Sequence, residues 1–266
     1  MFRYFLSIFI LLPMLVLVSC QGKPTGKEKL QLTVSIIPQK YLVQYIAGDK
    51  PGILVMLPPG SNHETYEPAP RDMEKISSSQ LYLALGALDF ELSWLDRFRA
   101  SNPNMNIVNT SKGIDMISGH EHGHESETAK NELSHGYDPH TWLSVACMKI
   151  QAANICEAVA LADTANASLY KHNLDRFYRT ADSVDLKIRE KLSSHKGKAI
   201  LIFHPALAYF ARDYGLTQIS IEQDGKEPSP AYMAELVKMA KEKGIRAVFI
   251  SKEFDTRNAE AIAREI

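Results

Sequence analysis

Apolar and polar positions alternate along the chain in two rhythms. Residues 30–37 (LQLTVSII), 53–57 and 81–85 are short apolar runs that read as strands; Pro58-Pro59-Gly60 stops the second and Gly86 the third. Residues 40–47 between the first two read as a helix closed by Gly48, and residues 145–161 as another. In residues 168–194, Tyr170, Leu174, Phe177, Ala181, Val184 and Ile188 recur at spacings of four and three, with charged residues on the opposite side. At 1.5 Å per residue that helix is about 40 Å long, which suits a strut between two lobes. Beyond Gly197 the alternation resumes: strands at 199–203, 218–221 and 246–251, and helices leading to Tyr214-Gly215, over 230–243 and from 258. Strands alternating with helices specify an α/β fold with parallel sheets. The second lobe reads one strand and one helix short of the first, so a truncated C-terminal lobe is expected.

The first twenty residues, MFRYFLSIFILLPMLVLVSC, carry one positive charge, an apolar run and a terminal Leu-Val-Ser-Cys. That order reads as a lipoprotein signal peptide over residues 1–19, with Cys20 as the lipidated N-terminus of the mature chain and residues 20–29 as a polar tether. The mature protein is then expected in the cell envelope, lipid-anchored, on the periplasmic or outer-surface side. No segment beyond residue 20 reads as apolar enough to span a bilayer. The expected domains are a first βα lobe over 30–162, a linker helix over 163–195 and a second βα lobe over 196–266.

Composition narrows the function. The 30 Lys and Arg nearly balance the 31 Asp and Glu among 266 residues, so the chain lacks the basic field that nucleic acid would need. Three Cys make no disulfide framework. Cys147 and Cys156 lie nine residues apart in one expected helix, about 13 Å along its axis, too far for a bridge; they read as small buried apolar residues. A monomer is expected.

The candidate chemistry is imidazole. His63 lies in PPGSNHETYEP, His140 in DPHTWLS, and His204 directly follows the strand at 199–203. Two of the three sit beyond the carboxyl end of an expected strand, where open α/β sheets place ligands. Each is flanked by Pro-Gly, Asp-Pro or His-Pro, which fix loop backbone. Three neutral imidazoles suit Zn(II), whether bound or catalytic. His63-Glu64-Thr65-Tyr66-Glu67 is superficially similar to the zinc-hydrolase pattern H-E-x-x-H, but Glu replaces the second His and the flanking prolines favour a turn. No Gly-x-Ser-x-Gly element, P-loop or dinucleotide fingerprint occurs, so an enzyme is not expected. Because imidazole binds metal only when neutral, affinity is expected to fall as pH drops through about 6.5.

PPGSNHETYEP, DPHTWLS and HPALAYFARDYGL resemble, in order, the three metal motifs of the zinc/manganese solute-binding proteins of ABC importers. IAGDKPGI, LGALDFELSWL, DTANASLYKHNL and DGKEPSP are similar to further segments of that family, so the resemblance spans nearly the whole mature chain. It implies two βα lobes joined by one long rigid helix, with a metal site in the inter-lobe cleft formed by His63 and His140 from the first lobe and His204 from the second. It implies capture of Zn(II) as a transported ligand and delivery to an inner-membrane ABC permease with its cytoplasmic ATPase. Imidazole at the third position favours zinc over manganese, whose binders in this family usually carry a carboxylate there. A manganese or broader divalent-metal binder and an adhesin-type surface lipoprotein are the alternatives, with a zinc hydrolase behind them. The family's fourth ligand is often a late carboxylate beyond residue 266; Glu64 and Glu222 are weak local candidates.

Residues 118–136 hold a second feature. His120, His122 and His124, with His135 further on, form a dense metal-attracting tract that reads as a mobile surface loop. Zinc-type members of the family often carry such a loop, which implies weaker secondary capture of zinc.

Overall fold

The computed structural model describes residues 29–118, 136–222, 228–251 and 256–266. Its first sheet contains β1 (Gln31–Val34), β2 (Gly52–Val55), β3 (Leu81–Ala84) and β4 (Asn106–Asn109), all parallel in the order β2-β1-β3-β4. The crossovers are α1 (Ile37–Ala47), α2 (Pro70–Ile76) and α3 (Asp89–Ser101). Successive strand residues face opposite layers. Leu32, Val34, Leu81 and Leu83 enter one core with Leu42, Val43 and Ile46 of α1; Tyr82 and Ala84 enter the other with Phe90, Leu95 and Phe98 of α3.

Two long helices complete the first layer. α4 (Val145–Ala162) and α5 (Ala167–Leu192) pack on each other and on α1. By length and composition α4 is apolar enough to cross a membrane, contrary to the reading of that segment from sequence. Its apolar residues serve a core instead: Cys147, Ala152, Ile155, Cys156 and Val159 are all buried, and both cysteines are unbridged thiols.

The second sheet holds β5 (Ala199–Ile202), β6 (Thr217–Ser220) and β7 (Val248–Phe249), parallel in the order β6-β5-β7, with α6 (Ala208–Tyr214), α7 (Pro230–Glu242) and α8 (Arg257–Glu265). Leu201, Phe203, Ile221, Leu236, Ala240 and Ile262 fill its core. The expected two-lobed α/β architecture with a long connecting helix is present. Three elements go beyond the sequence reading: α2, α3 and β4. Their signal is weak because β4 has only two apolar residues between asparagines and α3 mixes charges among its aromatics.

A fully buried carboxylate secures the strand ends of the first lobe. Glu91 accepts hydrogen bonds from the backbone N–H of Leu85 and Gly86, both at 2.7 Å, and a short one from the Ser35 hydroxyl at the end of β1. Burial pushes the Glu91 carboxyl up, and these donors oppose that shift. Gly86 has φ +100°, and a Cβ there would meet the Asn109 side chain at 2.5 Å, so the turn leading into α3 requires glycine.

The strut is anchored unevenly. Tyr170, Phe177 and Ala181 of α5 are buried against α1 and α4, as its periodicity predicts, whereas Val184, expected on the same stripe, is 44% exposed. Beyond Ala181 no residue of α5 is buried, so the stripe loses its cover. Phe177→Ala is therefore expected to destabilise the fold by about 3–5 kcal/mol through cavity formation. Leu186→Ala, at a residue 68% exposed, should change stability by less than about 0.5 kcal/mol in the same urea unfolding experiment.

Candidate metal centre

Each of the three histidines sits in a loop whose backbone is fixed locally. The His63 loop leaves β2 through Pro58-Pro59-Gly60; Ser61 N–H donates to the Pro58 carbonyl at 3.2 Å, and Glu64 N–H donates to Asn62 Oδ1 at 2.7 Å. His63, Glu64 and Thr65 form a turn, so the segment similar to a hydrolase motif has no helical face. His140 precedes a one-turn 3-10 helix, Thr141–Leu143, and its own N–H donates to Asp138 Oδ1 at 2.8 Å. His204 lies at the carboxyl end of β5, where the Glu222 N–H donates to the Phe203 carbonyl at 3.0 Å and brings the end of the neighbouring strand alongside.

These loops place three ring nitrogens together. His140 Nε2 lies 3.2 Å from His63 Nε2 and 3.1 Å from His204 Nε2. Two nitrogens bound to one tetrahedral zinc at 2.0–2.1 Å are about 3.3–3.4 Å apart, so the observed spacing is that of a shared metal within a few tenths of an ångström. His140 and His204 are buried and His63 half-buried. The cavity at the site has a volume of about 340 Å³, and Ile37, Trp142 and Leu143 line it beside the three rings. The Trp142 ring stands 5.0 Å from that of His140 and forms one wall.

Two carboxylates determine which nitrogens face the centre. His140 Nδ1 is 2.8 Å from Asp138 Oδ1, and His204 Nδ1 is 2.9 Å from Glu222 Oε2. A carboxylate that accepts from Nδ1–H selects the tautomer in which a neutral ring turns its Nε2 lone pair toward the centre. Two bare lone pairs 3.1 Å apart cannot hydrogen-bond to each other. Lone pairs turned inward in this way suit a shared cation, to which His63 offers a third ring; the three side chains could hold a metal ion. His63 differs from the other two: its Nδ1 is buried without a partner among the described residues. Burial lowers its pKa from 6.5 to about 3, with the adjacent His140 and His204 adding to the shift.

The expected trio of His63, His140 and His204 is thus assembled. Asp138 and Glu222, which hold two of these rings from behind, are residues that the sequence reading placed otherwise. Asp138 reads there only as a backbone-fixing Asp-Pro, although its position two residues before a ligand is the available signal. Glu222 reads as a candidate fourth ligand; Glu64, His204 and Glu222 do lie within 4.8 Å of one another by their ligand atoms, but Glu222 is engaged by His204 Nδ1. Among the other features, Trp94 packs on the first-lobe core, and His172 and His195 are exposed. His120, His122, His124, His135 and Cys20 lie outside the described residues.

Comparison with known proteins gives the same answer as the geometry. Residues 32–266 match the family described as zinc-uptake complex component A, periplasmic. The chain is 26% identical over 278 residues to the high-affinity zinc uptake system protein ZnuA of Bacillus subtilis, covering 100% of this chain and 86% of that protein. A crystal structure of ZnuA superposes with a TM-score of 0.81 at 35% identity, covering 90% of this chain and 89% of the other. A ZnuA deletion mutant with zinc bound superposes with a TM-score of 0.79 at 34% identity, covering 90% and 87%. Three converged imidazoles in a cleft between two α/β lobes, on a chain matched along nearly its whole length, place this protein in the periplasmic zinc-uptake component A family of solute-binding proteins.

Proposed function

We propose that this chain is the extracytoplasmic capture component of an ABC-type zinc importer, holding Zn(II) between His63, His140 and His204 and passing it to a membrane permease driven by an ATPase. The observation that carries this reading is the convergence of three imidazoles, with His140 Nε2 at 3.2 Å from His63 Nε2 and 3.1 Å from His204 Nε2 and with two Nδ1 atoms held by carboxylates. No covalent step is part of it. Residues 30–162 and 196–266 act as the two lobes, residues 163–195 connect them, and residues 1–19 with Cys20 address and tether the protein to the envelope. The His-rich tract around His120–His124 and His135 serves as a weaker secondary zinc binder.

The three ligands have different tasks. His140 and His204 are oriented before metal arrives, because each ring is held from behind by a carboxylate. His63, whose Nδ1 has no partner among the described residues, is the adaptable ligand, and its loop, which lines the cavity, is the point where zinc enters and leaves. His140→Ala should abolish tight zinc binding, and Glu222→Gln should weaken it about 10- to 100-fold by losing the charge that orients His204. Competition against a chromophoric chelator measures both. Parent-like affinity in His140→Ala would remove that residue from the site.

Proton competition at His63 departs from the general expectation of a threshold near 6.5. Burial, with His140 and His204 alongside, lowers the pKa of this ring in the folded protein to about 3, against the ordinary 6.5 of the unfolded chain. Between those values the unfolded state binds more protons, so stability rises with pH and falls on acidification. The melting temperature of the metal-free protein should accordingly decline from pH 7 to 5, and His63→Gln should flatten that part of the slope. Scanning calorimetry of the two proteins across this range provides the check; parallel curves would contradict the assignment.

A further inference from the structure

α6 carries more than its place in the second lobe requires. It starts four residues after His204, and two side chains on one of its faces, Tyr209 and Asp213, reach across the cleft to the loop that carries His140. The Tyr209 hydroxyl donates to the Asp138 carbonyl at 2.7 Å and accepts from the Ile117 N–H at 3.1 Å. The Ser144 hydroxyl donates a short hydrogen bond to Asp213 Oδ2. Asp138 and Ser144 bracket the His140 loop, so α6 holds it at both ends.

Both contacts are built into well-ordered surroundings. Tyr209 is fully buried and packs with Ile114 and Cys147 of the first lobe. Ser144 is fully buried too, and its hydroxyl caps α4 by accepting from the Cys147 N–H at 3.1 Å. Arg212, between the two clamp residues, donates to Asp213 Oδ1 at 3.1 Å and to the Asp115 carbonyl of the first lobe at 2.8 Å. The long helix α5 cannot set this register alone, because its C-terminal half is only partly covered. α6 instead holds that half as well: Tyr214 donates to Asp185 Oδ1 at 2.8 Å, and Arg189 donates to the Asp213 carbonyl at 3.3 Å.

We propose that Tyr209 and Asp213 are positioning residues that clamp the His140 loop to the His204 segment and thereby fix the spacing between the two lobes' metal ligands. The inference rests on the zinc-binding reading above. The Tyr209 hydroxyl bonds to the Asp138 carbonyl and the Ile117 N–H of the first lobe, which gives it an inter-lobe task. One short segment, His204 to Asp213, then supplies a ligand and both anchors for the ligand opposite, so the distance between His140 and His204 depends on a few hydrogen bonds and little on the bending of α5.

The test is a double-mutant cycle in the full mature chain, with zinc affinity read by chelator competition. Tyr209→Phe keeps the ring and loses only the hydroxyl. It should weaken zinc about five- to tenfold in the parent, as expected for the loss of one or two hydrogen bonds. In a His204→Ala background, where no cross-lobe spacing remains to be set, the same change should weaken residual binding less than about twofold. Asp213→Ala should repeat this pattern, and Asp213→Asn, which still accepts from Ser144, should restore most of the affinity. The Co(II)-loaded parent and Tyr209→Phe proteins should differ in ligand-field absorption, a readout that a general loss of stability does not move. Equal weakening in both backgrounds, or parent-like affinity in both Tyr209→Phe and Asp213→Ala, overturns the clamp. If His140→Ala binds zinc like the parent, the metal-site reading fails first and the clamp fails with it.

Discussion

The structure depends on the convergence of three imidazole rings, two of them held from behind by carboxylates. His140 Nε2 and His204 Nε2 face each other at 3.1 Å, each ring held at its other nitrogen by a carboxylate, and the His63 ring closes on them. The packed cores of the two lobes hold the loops that bring the rings together. The site combines rings held by carboxylates at His140 and His204 with a His63 ring whose Nδ1 has no partner among the described residues.

The fold provides this by using the two ends of its sheets. Parallel strands deliver the His63 and His204 loops at their carboxyl ends, and the third histidine comes from the loop that enters α4. The two lobes have separate apolar cores, so what relates them is the long helix on one side and the polar contacts of α6 beside the cleft. Hydrogen bonds across a lobe boundary are directional, and directionality is what a coordination site needs from its supports.

Much of this was legible in the residues. Alternating strand and helix patterns specify the α/β class, and the stripe Tyr170–Phe177–Ala181 marks the connecting helix because those positions are buried in one continuous core. The three histidines stand out because each lies in a segment of loop-fixing residues. What stayed hidden is of a different kind. β4 and α2 carry too few apolar residues to announce themselves, and Val184 continues the stripe in sequence after the packing partner has ended. Asp138, Glu222, Tyr209 and Asp213 act through partners far away in sequence or through one orienting hydrogen bond, and no periodicity encodes such pairings. The apolar α4 shows the converse: composition alone does not distinguish a core helix from a membrane span, and burial does.

The most direct measurement of the central claim is anomalous diffraction at the zinc edge from crystals of the zinc-loaded mature protein. The account requires one strong peak in the inter-lobe cleft, about 2.0–2.1 Å from Nε2 of His63, His140 and His204, with Asp138 and Glu222 still on the opposite nitrogens of their rings. Zinc held elsewhere while these three rings stand empty, or bound through fewer than two of them, would contradict it.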